Sequence, residues 1–304
     1  MRELGNCIED VVDDFLQYVE QQRGSTPARD NTVEEDDALR LNSLCIEKDE
    51  LVGIDATSKE LVDKLVKESS NKRMIISLVG EGGIGKTTLA KNAYDNEVVE
   101  AHFDCRAWIT VSQSCDTKTL LGKMMKQIFP DEKDHQRKME RSPGEQVVLL
   151  RQHLKRKKYV VVFDDVWRQD FWGVIKQVVP ASENQGRIIL TTRDASVANA
   201  FREASDAHPV QELRPWSEEL ALTLFCKTAF SRKDIEEQRR EELKRLSLEF
   251  VSKCQGLPLV IAAIGSLLSR KEKAESVWRN VLDDLHSESM TTYTGTSKII
   301  SQLF

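Results

Sequence analysis

Four short apolar runs constrain this chain more than any other feature: MIISLV (Met74 to Val79), RAWITV (Arg106 to Val111), YVVVFD (Tyr159 to Asp164) and RIILTT (Arg187 to Thr192). Each is rich in β-branched residues, and helical stretches separate them. Strands that are apolar on both sides have no face to give to water. They are therefore predicted to form a parallel sheet covered by helices on both faces. After about Pro215 the strand pattern stops. Helical segments at Ser217–Phe230, Glu236–Cys254, Leu257–Leu268 and Lys273–Leu285 predict a small all-helical second domain. At 304 residues the chain has room for both, since single cores stop growing at roughly 250–300 residues.

The N-terminal 23 residues carry a different pattern. Leu4, Ile8, Val11, Phe15 and Val19 recur at helical spacing, with Glu9, Asp10, Asp13 and Asp14 on the other side. A lone helix of this length is marginal in water, so it is expected to dock on a partner. GSTPARDNTVEEDD (Gly24 to Asp37) has turn formers without periodicity and is read as linker. A net charge of −6 argues against a dedicated nucleic-acid binder. The cationic LKRKKYV (Leu154 to Val160) is read as a solvated helix end before a buried strand. Six cysteines (Cys7, Cys45, Cys105, Cys115, Cys226, Cys254) show no C-x-x-C pair and no His at metal spacing, and no secretory leader is evident. The reducing cytosol is the expected compartment. The longest apolar run, Leu257 to Leu268, is too short to span a bilayer, and no transmembrane segment is expected.

Chemistry concentrates at the ends of the apolar runs. GEGGIGKTTLAK follows the first of them, and Gly80-x-x-x-x-Gly85-Lys86-Thr87 matches a phosphate loop with a strand before it and a helix after it. Glycines let such a loop curl its amides toward an anion, and the helix from Gly85 adds its positive end. Gly80, Gly82, Gly83, Ile84, Gly85, Lys86, Thr87 and Thr88 are the candidate nucleotide contacts. Lys86 supplies a cation for the β- and γ-phosphates, and the Thr87 hydroxyl is a candidate Mg²⁺ ligand. VVVFDDVW places Asp164 and Asp165 at the carboxyl end of a central strand, where open α/β sheets bind ligands. Asp164 is the second Mg²⁺ candidate. Asp165 is the catalytic candidate, either polarising a water or orienting its neighbours.

ILTTRD ends another strand with two hydroxyls and a cation. Arg193 is placed there either to report a γ-phosphate through its planar fork or to pair with a nearby acid. In CQGLPLVIAAIGSLLS, Gly256 ends one helix and Pro258 opens the next. Residue chemistry alone favours a well-capped core helix there, the other reading being a cover for a base or ribose. ELVGID (Glu50 to Asp55) offers backbone groups near Val52 for an adenine edge.

These elements, in this order, resemble the nucleotide-binding switch domain of plant coiled-coil-type NLR immune receptors, the NB-ARC family. GEGGIGKTT, FDCRAWITVSQ (Phe103 to Gln113), FDDVW, ILTTR, the segment His208 to Phe230 and GLPL all fit its motif series, and IEDVVDDFL (Ile8 to Leu16) resembles the EDVID-type motif of its coiled-coil domain. The resemblance implies a phosphate-loop NTPase fold divided as a coiled-coil remnant (1–23), linker (24–50), nucleotide-binding domain (51–215), helical subdomain (216–286) and the start of a winged-helix subdomain (287–304). It implies ADP bound at rest and ATP on activation, with Mg²⁺ at Thr87 and Asp164, Arg193 sensing, and Val52 and Pro258 on the base side. Defence signalling and the hypersensitive response would follow assembly with other NLR domains or chains. A pathogen effector or guarded host protein would act only indirectly, and the activated protein would engage the plasma membrane peripherally. The family's MHD motif and leucine-rich repeats have no counterpart in the sequence, so the expected molecule is a fragment truncated at both ends. The alternatives are a turnover phosphate-loop ATPase, since slow hydrolysis is compatible with Asp165, and a degenerate non-signalling fragment.

Overall fold

A computed structural model describes residues 53–67, 73–111, 116–130, 141–180, 185–202, 210–231 and 241–289. The helix expected at 1–23, the linker at 24–50, Val52 and the segment 290–304 lie outside them. The described residues fall into two compact units. A sheet unit comprises Ile54–Gly80 and Lys86–Leu213; a helical unit holds Glu81–Gly85 and the described residues from Arg214.

In the sheet unit the order is α1 (Asp55–Val66), β1 (Met74–Val79), α2 (Lys86–Tyr94), α3 (Glu97–His102), β2 (Cys105–Thr110), α4 (Thr117–Ile128), α5 (Pro143–Leu154), β3 (Tyr159–Asp164), α6 (Phe171–Val178), β4 (Arg187–Thr192), α7 (Ala195–Arg202) and β5 (Val210–Glu212). The strands run parallel in the order β2-β3-β4-β1-β5. Every residue of β1, β3 and β4 is buried, as their apolar composition demands. Side chains alternate across the sheet. Ile75, Ile109, Val161, Phe163, Ile188 and Leu190 pack into one layer with residues of α4 to α7. Met74, Ile76, Leu78, Val160, Val162 and Ile189 pack into the other with Leu61, Leu65, Leu89 and Ala90 from α1 and α2. Helix starts use side-chain caps: Ser142 and Glu145 form a reciprocal capping box on α5 with Pro143 in the first turn, and Asp116 caps α4.

Two strands differ from the sequence reading. β2 spans Cys105–Thr110 rather than Arg106–Val111, and its burial alternates because it lies at the sheet edge. Its open side is partly closed by Gln127, whose amide accepts the Trp108 N–H and donates to the Trp108 carbonyl, both at 2.7 Å. One side-chain amide thus substitutes for a neighbouring strand and blunts the edge. β5 was not expected at all. It has three residues, only Val210 is apolar, and it joins β1 by pairing with Ser77–Val79. Its membership comes from backbone hydrogen bonds, which leave no hydrophobic signature.

The helical unit contains α8 (Glu218–Ala229), α9 (Glu241–Lys253), α10 (Pro258–Ser269) and α11 (Glu275–Ser289). The last runs past its expected end at Leu285. Its core is aromatic: Trp278, fully buried, meets Phe225 and Phe250 edge-on and Phe230 at a tilt. Between α9 and α10 the chain turns through Gln255 and Gly256, both at positive φ. A Cβ on Gly256 would lie 2.6 Å from the backbone oxygen of Trp216, so both its φ of +71° and the close approach require glycine.

The Trp278 indole Nε1 is buried and has no hydrogen-bond partner among the described residues. Trp278→Ala is expected to cost roughly 3–5 kcal/mol in denaturant unfolding, through cavity formation. Trp278→Phe should cost clearly less, because it removes the unsatisfied donor together with part of the ring. Equal losses would show that ring packing is not what holds this core.

Candidate functional site

The loop between β1 and α2 carries GEGGIGK. Two of its glycines have positive φ, Gly83 at +72° and Gly85 at +97°. A Cβ at Gly85 would meet nothing within 4 Å among the described residues, and its φ of +97° is one that favours glycine. Gly80 is tied to the sheet by its N–H on the Thr192 carbonyl at 3.3 Å. Ile84 is buried, and its N–H bonds the Glu81 carbonyl at 3.4 Å. Gly82 is half-buried. Lys86 is the first residue of α2. It is buried to 7 % exposure, and its Nζ donates to the Gly80 carbonyl at 2.8 Å, so the ammonium is folded back onto the start of the loop. Thr88, half-buried, follows in the first turn of α2.

Asp164 ends β3 at 2 % exposure. Its Oδ1 accepts the Thr87 hydroxyl at 2.9 Å and the Thr191 hydroxyl at 2.7 Å. The Thr191 hydroxyl oxygen in turn accepts the Asp165 N–H at 2.7 Å. Thr87 and Asp164, expected from the sequence to act together, are in direct contact. Thr191 was legible only as one of two hydroxyls at a strand end, because nothing in its local sequence identifies its partner.

Asp165 adopts φ +59°, a left-handed conformation uncommon for a residue with a side chain and tolerated best by Asp and Asn. This bend turns its carboxylate toward two neighbours. The Trp167 Nε1–H donates to Oδ2 at 3.1 Å, and the Arg193 Nε lies 3.7 Å from Oδ1. The Arg193 guanidinium also sits over the Trp167 ring, 4.9 Å from its centroid. Burial lowers the Arg193 pKa from its ordinary value, yet a guanidinium stays charged in proteins. Trp167 was missed in the sequence reading; its position two residues beyond Asp165 was the available signal. Behind Arg193, the Thr192 hydroxyl donates to the Val166 carbonyl at 2.7 Å and accepts the Asp194 N–H at 3.1 Å.

Within the helical unit, Pro258 occupies the first turn of α10 and is half-buried. The adjacent Leu259 N–H donates to the Gly83 carbonyl at 3.2 Å, a contact with no sequence signal. The cations Lys155 to Lys158 are exposed where α5 ends. Among the described residues no helix is long and apolar enough to cross a membrane, and no cluster of three or more His, Cys, Asp or Glu is arranged to hold a metal.

A glycine loop between a buried strand and a helix, with its lysine and threonine beside a strand-end aspartate, defines a phosphate-loop nucleotide-binding fold. The NB-ARC domain model matches residues 54–235, and the chain belongs to that family. Among curated relatives it is 36% identical over 251 residues to the disease resistance protein RPM1 of Arabidopsis thaliana, covering 81% of this chain and 26% of that protein. To the Arabidopsis disease resistance protein RPP13 it is 35% identical over 244 residues, with 77% and 28% covered. The chain thus spans little more than a quarter of the length of these relatives. An Aeropyrum pernix ORC2 protein, solved in ADPNP–ADP complexes, shares the fold at a TM-score of 0.52 and 14% identity, with 79% of this chain and 69% of that one covered. Drosophila ORC bound to DNA does so at 0.51 and 11%, with 92% and 67% covered.

Thr191→Val should destabilise the nucleotide-free protein by about 1–3 kcal/mol, because it strands the Asp165 N–H and withdraws a donor from a buried carboxylate. Chemical denaturation of the two proteins measures this. A loss under about 0.5 kcal/mol, the range of ordinary surface substitutions, would show that Thr191 does not hold the strand end.

Proposed function

We propose that this chain is an ADP/ATP-binding molecular switch of plant innate immunity, part of a coiled-coil NLR that works in the cytosol. The observation that carries the reading is the placement of Lys86 and Thr87. In an NB-ARC chain, the buried ammonium lies on the loop's own first carbonyl, and the Thr87 hydroxyl lies on the buried carboxylate of Asp164.

Gly80, Gly82, Gly83, Ile84, Gly85 and Thr88 would bind phosphate oxygens, with Lys86 turning from Gly80 to the β- and γ-phosphates. The Thr87 hydroxyl and the Asp164 carboxylate are adjacent hard-oxygen donors and suit Mg²⁺, which keeps most of its waters and takes one or two protein ligands. Bound there, Mg²⁺ would neutralise phosphate charge. Arg193 would read the γ-phosphate, and Asp165 would orient Arg193 or a water. Val52 and Pro258 are assigned to the base side on the strength of the family resemblance. The same resemblance supports the division into a nucleotide-binding domain at 51–215, a helical subdomain at 216–286 and a winged-helix start at 287–304. It also supports the coiled-coil remnant at 1–23. Oligomerisation, indirect response to an effector or guarded host protein, and the hypersensitive response belong to the whole receptor.

ADP should raise the melting temperature of the wild type by mass action, about 2.7 kcal/mol at a hundredfold excess over Kd, and should fail to do so for Lys86→Ala. No shift in either protein would leave a degenerate, non-binding fragment. Steady-state turnover should stay well below about 1 per second, the low end of enzyme rates. Sustained cycling above that would replace the switch with a turnover ATPase.

A further inference from the structure

Leu259 holds none of the roles assigned above, yet its amide is bonded to the glycine loop. The loop residues Glu81–Gly85 and α10 belong to the same compact unit. A helix begins with N–H groups that have no partner inside it, and a side-chain oxygen at the N-cap ordinarily meets one of them. α4, α5 and α8 start in that way, on Asp116, Ser142 and Ser217. The N-cap of α10 is Leu257, which has no side-chain oxygen to offer, and no side chain caps the helix. Pro258 removes one of the unmet donors, and the Leu257 N–H bonds the Cys254 carbonyl at 2.9 Å. The Leu259 N–H is met by the Gly83 carbonyl at 3.2 Å. Helical bonding then begins with the Ile261 N–H on the Leu257 carbonyl at 3.1 Å. A peptide oxygen of the phosphate loop thus serves as the cap of α10.

The bond constrains the loop as much as the helix. The Gly83–Ile84 peptide is planar and trans, so its N–H points opposite to its carbonyl. With the carbonyl held at α10, the Ile84 N–H is turned back into the loop, where the Glu81 carbonyl lies 3.4 Å away. The Leu259 side chain closes the same contact. A Cβ on Gly83, at its φ of +72°, would lie 3.1 Å from the Leu259 Cβ. Backbone and side chain of Leu259 therefore both bear on Gly83, the residue that orients the Ile84 N–H.

We propose that Leu259 is a positioning residue for the phosphate loop: its N–H holds the Gly83–Ile84 peptide so that the Ile84 N–H faces a bound phosphate, which couples nucleotide binding to the first turn of α10. The proposal rests on the reading of the loop as an ADP/ATP site. Linkage is reciprocal, so bound nucleotide strengthens the Leu259–Gly83 bond by the factor with which that bond strengthens nucleotide binding.

The test replaces single amides of the full chain by esters, which removes one N–H and leaves every side chain in place. One ester stands at Leu259. The control stands at Val260, whose N–H has no hydrogen-bond partner among the described residues. Isothermal titration with ADP and Mg²⁺ should show affinity about 3- to 10-fold weaker for the Leu259 ester, the size of one neutral hydrogen bond. The Val260 ester should stay within about twofold of the wild type, since no bond is lost. Hydrogen exchange in the wild type gives a second reading that survives misfolding of either ester. ADP should slow exchange of the Leu259 amide by a larger factor than that of the amides of α9, because the coupling is local. Unchanged affinity in the Leu259 ester, the same loss in both esters, or equal slowing in the two helices would overturn the proposal while leaving the nucleotide site intact. Failure of ADP to bind the wild type would overturn both.

Discussion

Burying an ionised carboxylate without partners is prohibitively unfavourable, and Asp164 sits at 2 % exposure at the end of a fully buried strand. The hydroxyls of Thr87 and Thr191 meet it there. Their positions follow from the strand order. β4 pairs with both β1 and β3, so Thr191 stands beside Asp164, and α2, emerging from the loop after β1, brings Thr87 to the same oxygen. A different order would leave the charge without these donors. The sheet and the start of α2 are thus tied together by a polar contact at the edge of an apolar core.

The same strand ends supply a second pair of charges, arranged differently. Asp164 is enclosed, while Asp165 is turned outward by a left-handed backbone to meet Trp167 and Arg193 near the surface. Adjacent acids therefore occupy opposite electrostatic settings. The inner one accepts two hydroxyls on Oδ1 and ties the framework together. The outer one lies within reach of an indole N–H and a guanidinium.

Much of the architecture was legible because apolar patterning is local. The buried runs MIISLV, YVVVFD and RIILTT are apolar on both faces, and that alone implies covering helices and a parallel sheet. The four helices of the second unit were legible from their spacing, and Gly256 from its place between two of them. β5 was not legible, since Val210–Glu212 is held by backbone bonds to β1 and has no side-chain pattern. The edge position of β2 was equally hidden, because Gln127, which blunts that edge, lies in the following helix and has no sequence mark of its role.

In the candidate site, the loop glycines, Lys86, Thr87, Asp164, Asp165 and Arg193 could all be named from the sequence. Each sits at a fixed offset from a strand end, and that offset is itself a local property. The sequence by itself therefore determined which residues stand at the ends of which strands. Only the tertiary structure decided their pairing: Lys86 with Gly80, Thr191 with Asp164, and Trp167 with both Asp165 and Arg193. The physical reason is range. Backbone conformation and apolar burial are set by neighbours along the chain, whereas a hydrogen bond between β3 and β4 depends on which strands lie side by side, and the packing of two helical layers on one sheet settles that.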